Sequence, residues 1–247
     1  MKVLAVGCHP DDVEIGCSGT LLKCAQRGDK VTVCHTANGN MGHVIIPPDE
    51  LREMRILEAR NAAKKGGFEI LTLDIGDLLP NSSDQKQRDA MIDLMRYVQP
   101  DLIITHAPQD YMSDHQEVSK LVFHASFACS CPHYAHAPAG SILPPPDPSL
   151  IADSADIAPL YYMDTLAGVG FIPTEYVDIS DVIDQKIDML ECHVSQLKWM
   201  RDHDHIDFAD FVRTCSKYRG LQCGVDYAEG FIHETCWPRV KPCRLLP

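Results

Sequence analysis

Short apolar segments alternate with helix-like segments through the first half of the chain, and this alternation restricts the fold more than any other feature. The pattern predicts strands over residues 3–7, 31–35, 70–75 and 101–106, and helices over residues 19–26, 50–65 and near 88–98. Asp49 is the predicted N-cap of the second helix, which Gly66-Gly67 ends. Strand–helix alternation of this kind produces a mostly parallel sheet with helices on both faces. The predicted fold class is therefore α/β.

The second half of the chain opens with a proline-rich segment over residues 130–148. Its prolines exclude a helix or a central strand, so we interpret it as a long loop. Beyond the loop, the pattern predicts strands at 160–163 and 175–179, then a helix from Asp181 to about Met200. No linker divides the sequence, and 247 residues with 45% hydrophobic content suit one well-cored unit. We predict a single domain over residues 1–247.

Composition excludes several classes of partner. The formal charge of −13, from 35 acidic and 22 basic residues, argues against nucleic acid or anionic membrane, which both require clustered Lys and Arg. The eleven cysteines are odd in number and follow no regular spacing. The N-terminus lacks the apolar stretch of a signal peptide, and no segment reaches the ~18 apolar residues of a membrane span. We therefore expect a reduced, cytoplasmic protein that acts on a small molecule.

The segment after the first predicted strand carries the strongest functional signal. It reads C-H-P-D-D-V-E-I-G over residues 8–16. Because ligands of open α/β sheets bind beyond the carboxyl ends of the strands, a His and two carboxylates at this place can meet a substrate. His9 and Asp12, three residues apart across a proline turn, have a workable spacing for two ligands of one ion. Asp11 is then left free beside the metal, where a carboxylate can serve as general base.

The best donor of a third ligand follows the fourth predicted strand. Residues 110–115 read D-Y-M-S-D-H, and Asp114 is a suitable N-cap that would place His115 at the start of a helix through Ala125. Two His and one carboxylate with an open position are typical of a catalytic zinc site. Either segment alone is better explained as an ordinary turn, whereas the two together favour the metal site. We expect His106 to lie near this site without ligating.

With these motifs in place, the sequence resembles the PIG-L/LmbE-like zinc-dependent N-deacetylases over almost its whole length. The family fold is Rossmann-like, with a mostly parallel sheet, helices on both faces and here a C-terminal helical and strand extension. Members are often trimers or hexamers, so the resemblance implies a homo-oligomer. The matching segments are residues 9–12, 16–21, 55–59, 114–115, 176–179, 193–196 and 228–231.

The resemblance also implies roles for individual residues. His9, Asp12 and His115 match the metal ligands of the family, with Zn²⁺ as the cofactor. Asp11 matches its general base, and Arg55 stands where the family has an arginine that contacts the sugar. The implied activity is removal of an acetyl group from an N-acetylated amino sugar, such as an N-acetylglucosamine conjugate.

The chain departs from the family pattern at two positions. Many members carry a second histidine three residues before the last ligand, where this chain has Met112, and a thioether cannot donate a hydrogen bond to an oxyanion. We predict His233, of this chain or of a neighbouring subunit, as the replacement donor, with His193 and Tyr111 next in order. Asn40 stands where many relatives have Glu, which alters the contacts around the sugar.

Two other functions compete with the deacetylase. The resemblance extends to a metal-dependent hydratase of unsaturated oxo-acids, and Met112 keeps that alternative open. A non-catalytic nucleotide-binding domain is disfavoured, because the first turn lacks G-x-G-x-x-G and its two carboxylates would repel phosphate. Iron, manganese or cobalt could also replace zinc, since two imidazoles and a carboxylate accept several ions.

Overall fold

Seven strands form one sheet in this computed structural model, which describes residues 1–240. The strands run in the order β3-β2-β1-β4-β5-β7-β6 across the sheet. The five strands from β3 to β5 in this order are parallel to one another, and β7 lies antiparallel between β5 and β6. The predicted α/β class with a mostly parallel sheet is confirmed. The strands are β1 Lys2–Gly7, β2 Lys30–Ala37, β3 Glu69–Ile75, β4 Leu102–Thr105, β5 Leu160–Met163, β6 Glu175–Asp178 and β7 Ala228–His233.

Helices cover both faces of the sheet, and alternate side chains of β1 pack against the helices on opposite faces. Leu4 and Val6 pack in one core cluster with α4 and α5, whereas Val3 and Ala5 pack in another with α2 and α6. Within residues 1–240, no helix combines the length and the apolarity needed to cross a bilayer. The helices are α1 Asp12–Gly16, α2 Ser18–Gln26, α3 Pro48–Gly66, α4 Gln85–Val98, α5 Ser113–Ala128, α6 Ile183–Leu190, α7 Val194–Asp204 and α8 Phe208–Cys223.

The single helix predicted from Asp181 to about Met200 is wrong. The chain forms two helices, α6 and α7, which are separated at residues 191–193. The carboxylate of Glu58, on α3, accepts hydrogen bonds from the backbone N–H of Ser195 at 2.8 Å and from its hydroxyl at 2.7 Å. This contact satisfies an unpaired N–H in the first turn of α7, so a new helix begins where the apolar periodicity alone suggested continuation.

Both N-caps predicted from acidic residues are also wrong. Helix α3 begins at Pro48 with Pro47 as its N-cap, because a proline in the first turn has a preset φ and lacks the N–H that a cap would satisfy. Helix α5 begins at Ser113 with Met112 as its N-cap. The Asp114 carboxylate instead accepts the N–H of Leu78 at 2.8 Å, so it is engaged outside its own helix.

The proline-rich loop covers one edge of the sheet. Thr72, on the edge strand β3, exchanges backbone hydrogen bonds with Leu143 of the loop at 2.7 and 2.8 Å. Ile142 is buried against the core cluster on that side. The loop therefore protects the edge of β3 from pairing with another chain.

A buried ion pair attaches the C-terminal strand to the first helices. Glu229, on β7, accepts the N–H groups of Gly19 at 2.9 Å and Thr20 at 2.7 Å, at the start of α2. Lys186, on α6, pairs with the same carboxylate and donates to the carbonyl of Ile15 at 2.7 Å. The side chain of Lys186 is fully buried and Glu229 is 4% exposed.

Replacing Lys186 with Met should destabilise the fold by about 3–5 kcal/mol, because it leaves the Glu229 charge buried and unpaired. The matched control is Lys198→Met, which removes an exposed lysine paired with Asp202 and should cost at most about 1 kcal/mol. Urea unfolding of the two variants measures both values. Equal losses would show that the buried pair contributes no more than the surface pair.

Candidate functional site

The chain turns sharply after β1, and this turn holds the predicted motif. The N–H of His9 donates to the Asp12 carboxylate at 2.6 Å, and Asp12 begins α1. Asp11 precedes it with φ of 114°, a backbone conformation that non-glycine residues rarely adopt. Because β1 and β4 are parallel neighbours, the turn lies at the same sheet edge as the residues that follow β4.

A cavity of about 270 Å³ opens at this edge, and five of the six predicted site residues line it. The fold thus brings five of the predicted residues together, although they come from three separate parts of the chain. The five are His9, Asp11, Asp12, Arg55 and His115.

Two carboxylates orient the imidazoles of the predicted ligands. Nδ1 of His115 lies 3.1 Å from Asp110 Oδ1, and Nε2 of His9 lies 3.3 Å from Asp114 Oδ2. The opposite nitrogen of each ring faces Asp12, at 3.4 Å in both cases. Nε2 of His115 is buried without a hydrogen-bond partner. When a carboxylate accepts the N–H of one ring nitrogen, the other nitrogen keeps its lone pair for a metal. His9 and His115 therefore have the arrangement of ligands for a divalent cation.

Asp12 belongs to two groups whose candidate ligand atoms all lie within 4.8 Å of one another. One group combines it with Cys8 and His9, and the other with His106 and His115. His106 stacks on His115 with ring centroids 4.0 Å apart, and its Nε2 accepts the N–H of Cys8 at 2.9 Å. His106 therefore lies beside the candidate metal site, as expected, with the lone pair of Nε2 engaged by the backbone.

Burial and neighbouring charges separate the pKa values of the two adjacent carboxyl groups. Burial raises the pKa of Asp11 to about 6, although Arg55 acts in the opposite direction. Burial would also raise the pKa of Asp12, but His115 and His106 outweigh it and hold that pKa well below its ordinary value. One carboxyl thus stays charged, as a ligand must, while the other titrates near neutrality, as suits a general base.

The candidate metal site has a negative potential. Burial would lower the pKa of His115, but Asp12 and Asp110 raise it to about 9. For His9, Cys8 and two carboxylates likewise outweigh burial and raise the pKa well above its ordinary value. An environment that stabilises a proton on these rings also stabilises a cation bound in its place.

Arg55 reaches the cavity across a glycine. The side chain extends from α3, is 3% exposed, and passes so close to Gly39 that a Cβ there would overlap its Cδ and Nη1. Gly39 has φ of 77°. Nε of Arg55 is buried without a hydrogen-bond partner. The loop after β2 is held in turn by Asp77, which accepts the N–H groups of Gly39 at 2.8 Å and Met41 at 2.9 Å.

The structure does not bring His233 to the cavity. In residues 1–240 it lies on β7, with its ring stacked on Tyr161 at 4.5 Å. His193 is also outside the cavity lining and sits 3.3 Å from Glu14, whereas Tyr111 lines the cavity. A contribution of His233 to the site of a neighbouring subunit stays a prediction. Asn40 accepts the N–H of Asp77 at 3.0 Å, so it supports the loop.

Several lining residues were missed from the sequence. Gln196 lines the cavity, and its Oε1 is buried without a partner. It belongs to a segment that carried the family resemblance, which was the available signal. Asp77 and the apolar lining residues had no sequence signal, because only the folded chain brings them to this place.

Comparison with known sequences gives both the class of this protein and its family. The PIG-L family model, described as GlcNAc-PI de-N-acetylase, matches residues 4–126. An Escherichia coli protein described as "uncharacterized deacetylase YaiS" is 30% identical over 131 residues, covering 51% of this chain and 67% of the relative. The chain belongs to the PIG-L family of de-N-acetylases, which confirms the resemblance.

A longer match extends over most of the chain. The diacetylchitobiose deacetylase of Thermococcus kodakarensis is 28% identical over 236 residues, covering 93% of this chain and 81% of the relative. Two solved structures share the fold. The N,N'-diacetylchitobiose deacetylase of Pyrococcus horikoshii has a TM-score of 0.77 and 23% identity, over 94% of this chain and 83% of that one. GalB, a 4-carboxy-2-hydroxymuconate hydratase of Pseudomonas putida, has a TM-score of 0.76 and 22% identity, over 98% of this chain and 99% of that one.

Replacing Asp110 with Asn should weaken binding of Zn²⁺ about 10–100-fold, because the His115 ring loses the carboxylate that orients it. Competition with a chromophoric chelator measures the affinity. Asp181→Asn, at an exposed carboxylate paired with Lys23, is the control and should bind as the wild type does. Unchanged affinity in the Asp110 variant would contradict the assignment of His115 as a ligand.

Gly39→Ala should reduce deacetylation at least ~10-fold, because the new Cβ displaces Arg55 from the cavity. Gly28→Ala is a matched control, since Gly28 has φ of 92° and nothing within 4 Å of its added Cβ. Both variants should lose about 1 kcal/mol of stability from the positive φ, measured by urea unfolding. If Gly39→Ala kept full activity, the position of Arg55 would not matter for turnover.

Proposed function

We propose that this chain is a zinc-dependent hydrolase that removes the acetyl group from an N-acetylated amino sugar. The observation that carries the proposal is the pair Asp11 and Asp12, adjacent in sequence but opposite in pKa, in one cavity with His9 and His115. The similarity to a diacetylchitobiose deacetylase supports the substrate class.

In the proposed mechanism, His9, Asp12 and His115 would hold a zinc ion. When bound there, the ion lowers the pKa of a water molecule and polarises the amide carbonyl. Asp11 accepts a proton from the attacking water as its oxygen bonds to the carbonyl carbon. Asp11 then returns that proton to the nitrogen as the C–N bond breaks, which yields acetate and the free amine.

Other cavity residues would bind the sugar and the developing negative charge. Arg55 and Gln196 both line the cavity, where their guanidinium and amide groups can hydrogen-bond to sugar hydroxyls. Met112 supplies no donor to the carbonyl oxygen, and the hydroxyl of Tyr111 is a donor in the cavity lining that can replace it. We further propose that the protein is a homo-oligomer, in which His233 can reach a neighbouring site.

A hydratase acting on an unsaturated oxo-acid is the second candidate. The observation that favours it is Met112, which lines the cavity where many relatives have a histidine donor. The likeness to GalB concerns the fold alone. A test for water addition to an oxo-acid such as 4-carboxy-2-hydroxymuconate, with the same protein preparation, separates the two candidates.

Acetate release tests the proposed function directly. Protein stripped of metal and reloaded with Zn²⁺ is incubated with N-acetylglucosamine, its methyl glycoside and diacetylchitobiose. We expect release that depends on the metal from at least one of them. No release from protein shown to hold one zinc per chain, together with hydration of the oxo-acid, would favour the second candidate.

Asp11→Asn should bind Zn²⁺ with the affinity of the wild type but turn over at least ~100-fold more slowly, because the amide cannot accept the proton of water. Chelator competition and acetate release measure the two properties on one sample. Asp181→Asn is again the surface control. Full activity of the Asp11 variant would remove this residue from the role of base.

A further inference from the structure

The residues that line the cavity fall into two chemical groups. One group comprises the carboxylates and imidazoles of the candidate metal site together with Arg55, Gln196 and Asp164, whose carboxylate pairs with Arg219. The other group, which we call the apolar wall, consists of apolar side chains. Its residues are Ile15, Met163, Leu166, Met200 and Phe208.

The apolar wall is continuous with the hydrophobic core. Phe208 is part of a core cluster between α6, α7 and α8, and Ile15, Leu166 and Met200 pack against that cluster. Phe208 is 5% exposed, and the other three are half-buried. The wall is therefore the exposed side of a packed cluster. The packing of the cluster fixes the positions of these side chains without a ligand.

Methionine is unusually frequent around this cavity. Met41, Met112, Met163 and Met200 all line it. Met163 packs directly over Gly16, where a Cβ would lie 2.6 Å from its Sδ, so the glycine makes room for the thioether. Methionine is unbranched and polarizable, and such surfaces adapt to apolar ligands of varied shape.

Apolar side chains continue from the cavity to its mouth. Met41, Leu78 and Tyr111 line the cavity and are 56%, 65% and 65% exposed. The ring of Tyr111 meets that of His115 edge-on at 5.5 Å, and the N–H of Leu78 donates to Asp114, so these two residues lie beside the candidate metal site. Exposed apolar side chains at the rim of a cavity are available to contact the apolar part of a ligand.

A bare sugar fits this cavity poorly. It carries hydroxyl groups around its ring, and those facing the apolar wall would lose water without gaining hydrogen-bond partners. A ligand with one polar and one apolar part would match both groups of lining residues.

We propose that the substrate is an amphipathic amide: an amino sugar with an apolar group of several carbon atoms that packs on the apolar wall. This inference rests on the proposed function and specifies its substrate class. The apolar group is carried either by the aglycone or by the acyl chain of the amide, and the two sources share the chemistry that the wall recognises.

Chain-length series distinguish the two sources. In the first, kcat/KM of the zinc-loaded protein is measured on methyl, butyl and hexyl glycosides of N-acetylglucosamine. In the second, the methyl glycoside carries acetyl, butanoyl or hexanoyl on nitrogen. We expect kcat/KM to rise about two- to fourfold for each added methylene in one of the series, since a fully buried methylene is worth about fourfold.

The outcomes separate this inference from the proposed function. Amide hydrolysis at the same kcat/KM across both series, measured as release of the carboxylate that each compound carries on nitrogen, would keep the hydrolase and overturn the apolar wall as a binding surface. Absence of turnover on every compound would overturn the deacetylase. Calorimetric binding then decides the inference without turnover, with the hexyl glycoside compared with the methyl glycoside and the N-hexanoyl amide compared with the N-acetyl amide. At least ~10-fold tighter binding of the longer compound in either pair supports the inference, and equal binding in both pairs overturns it.

Two variants locate the effect. Met200→Gln and Leu166→Gln, both at half-buried positions, should each lower the ratio of hexyl to methyl kcat/KM at least ~3-fold. Met54→Gln, at a half-buried position of α3 outside the cavity lining, should leave that ratio unchanged. If both wall variants kept the wild-type ratio, the apolar group would bind elsewhere.

Discussion

The buried negative charge of Asp12 is the constraint on which the site depends. This carboxylate holds the turn after β1 through the N–H of His9, and it faces three imidazoles contributed by two segments of the chain. A charge this deeply buried must be compensated, which requires the carboxyl ends of β1 and β4 to be adjacent. The compensation holds the pKa of Asp12 well below its ordinary value, while burial, with the neighbouring charge of Asp12, raises the pKa of Asp11 to about 6.

Buried polar contacts extend this arrangement into the C-terminal extension. Glu58 anchors the start of α7, and Glu229 with Lys186 attaches β7 and α6 to the first helices. These contacts bring Gln196 to the cavity beside Arg55. They also place α7 and α8 where their core cluster lines part of the cavity. Buried, fully paired polar groups tolerate little rearrangement, so the extension shapes the cavity as firmly as the sheet does.

Local patterns were enough to predict six of the seven strands, but not β7 or the helix boundaries. All six predicted strands were found, because runs of apolar residues bounded by turn signals are a local property. The helix from Asp181 to Met200 was wrong, since its break is stabilised by Glu58, a residue distant in sequence. Asp49 and Asp114 were predicted as N-caps because their residue type favours a cap. The local pair Pro47-Pro48 starts α3 earlier, and Asp114 instead accepts the N–H of Leu78, which is distant in sequence.

The sequence by itself determined the class of chemistry, because His9, Asp11, Asp12 and His115 lie in motifs whose spacing and strand context are local. Tertiary structure decided everything that depends on distant segments meeting. It placed His106 against His115, kept His233 on β7 away from the cavity, and assembled the apolar wall from residues of separate elements. The candidate ligands and base were predicted from motifs and the family resemblance, whereas the shape of a cavity is a property of packing and is visible only once the chain has folded.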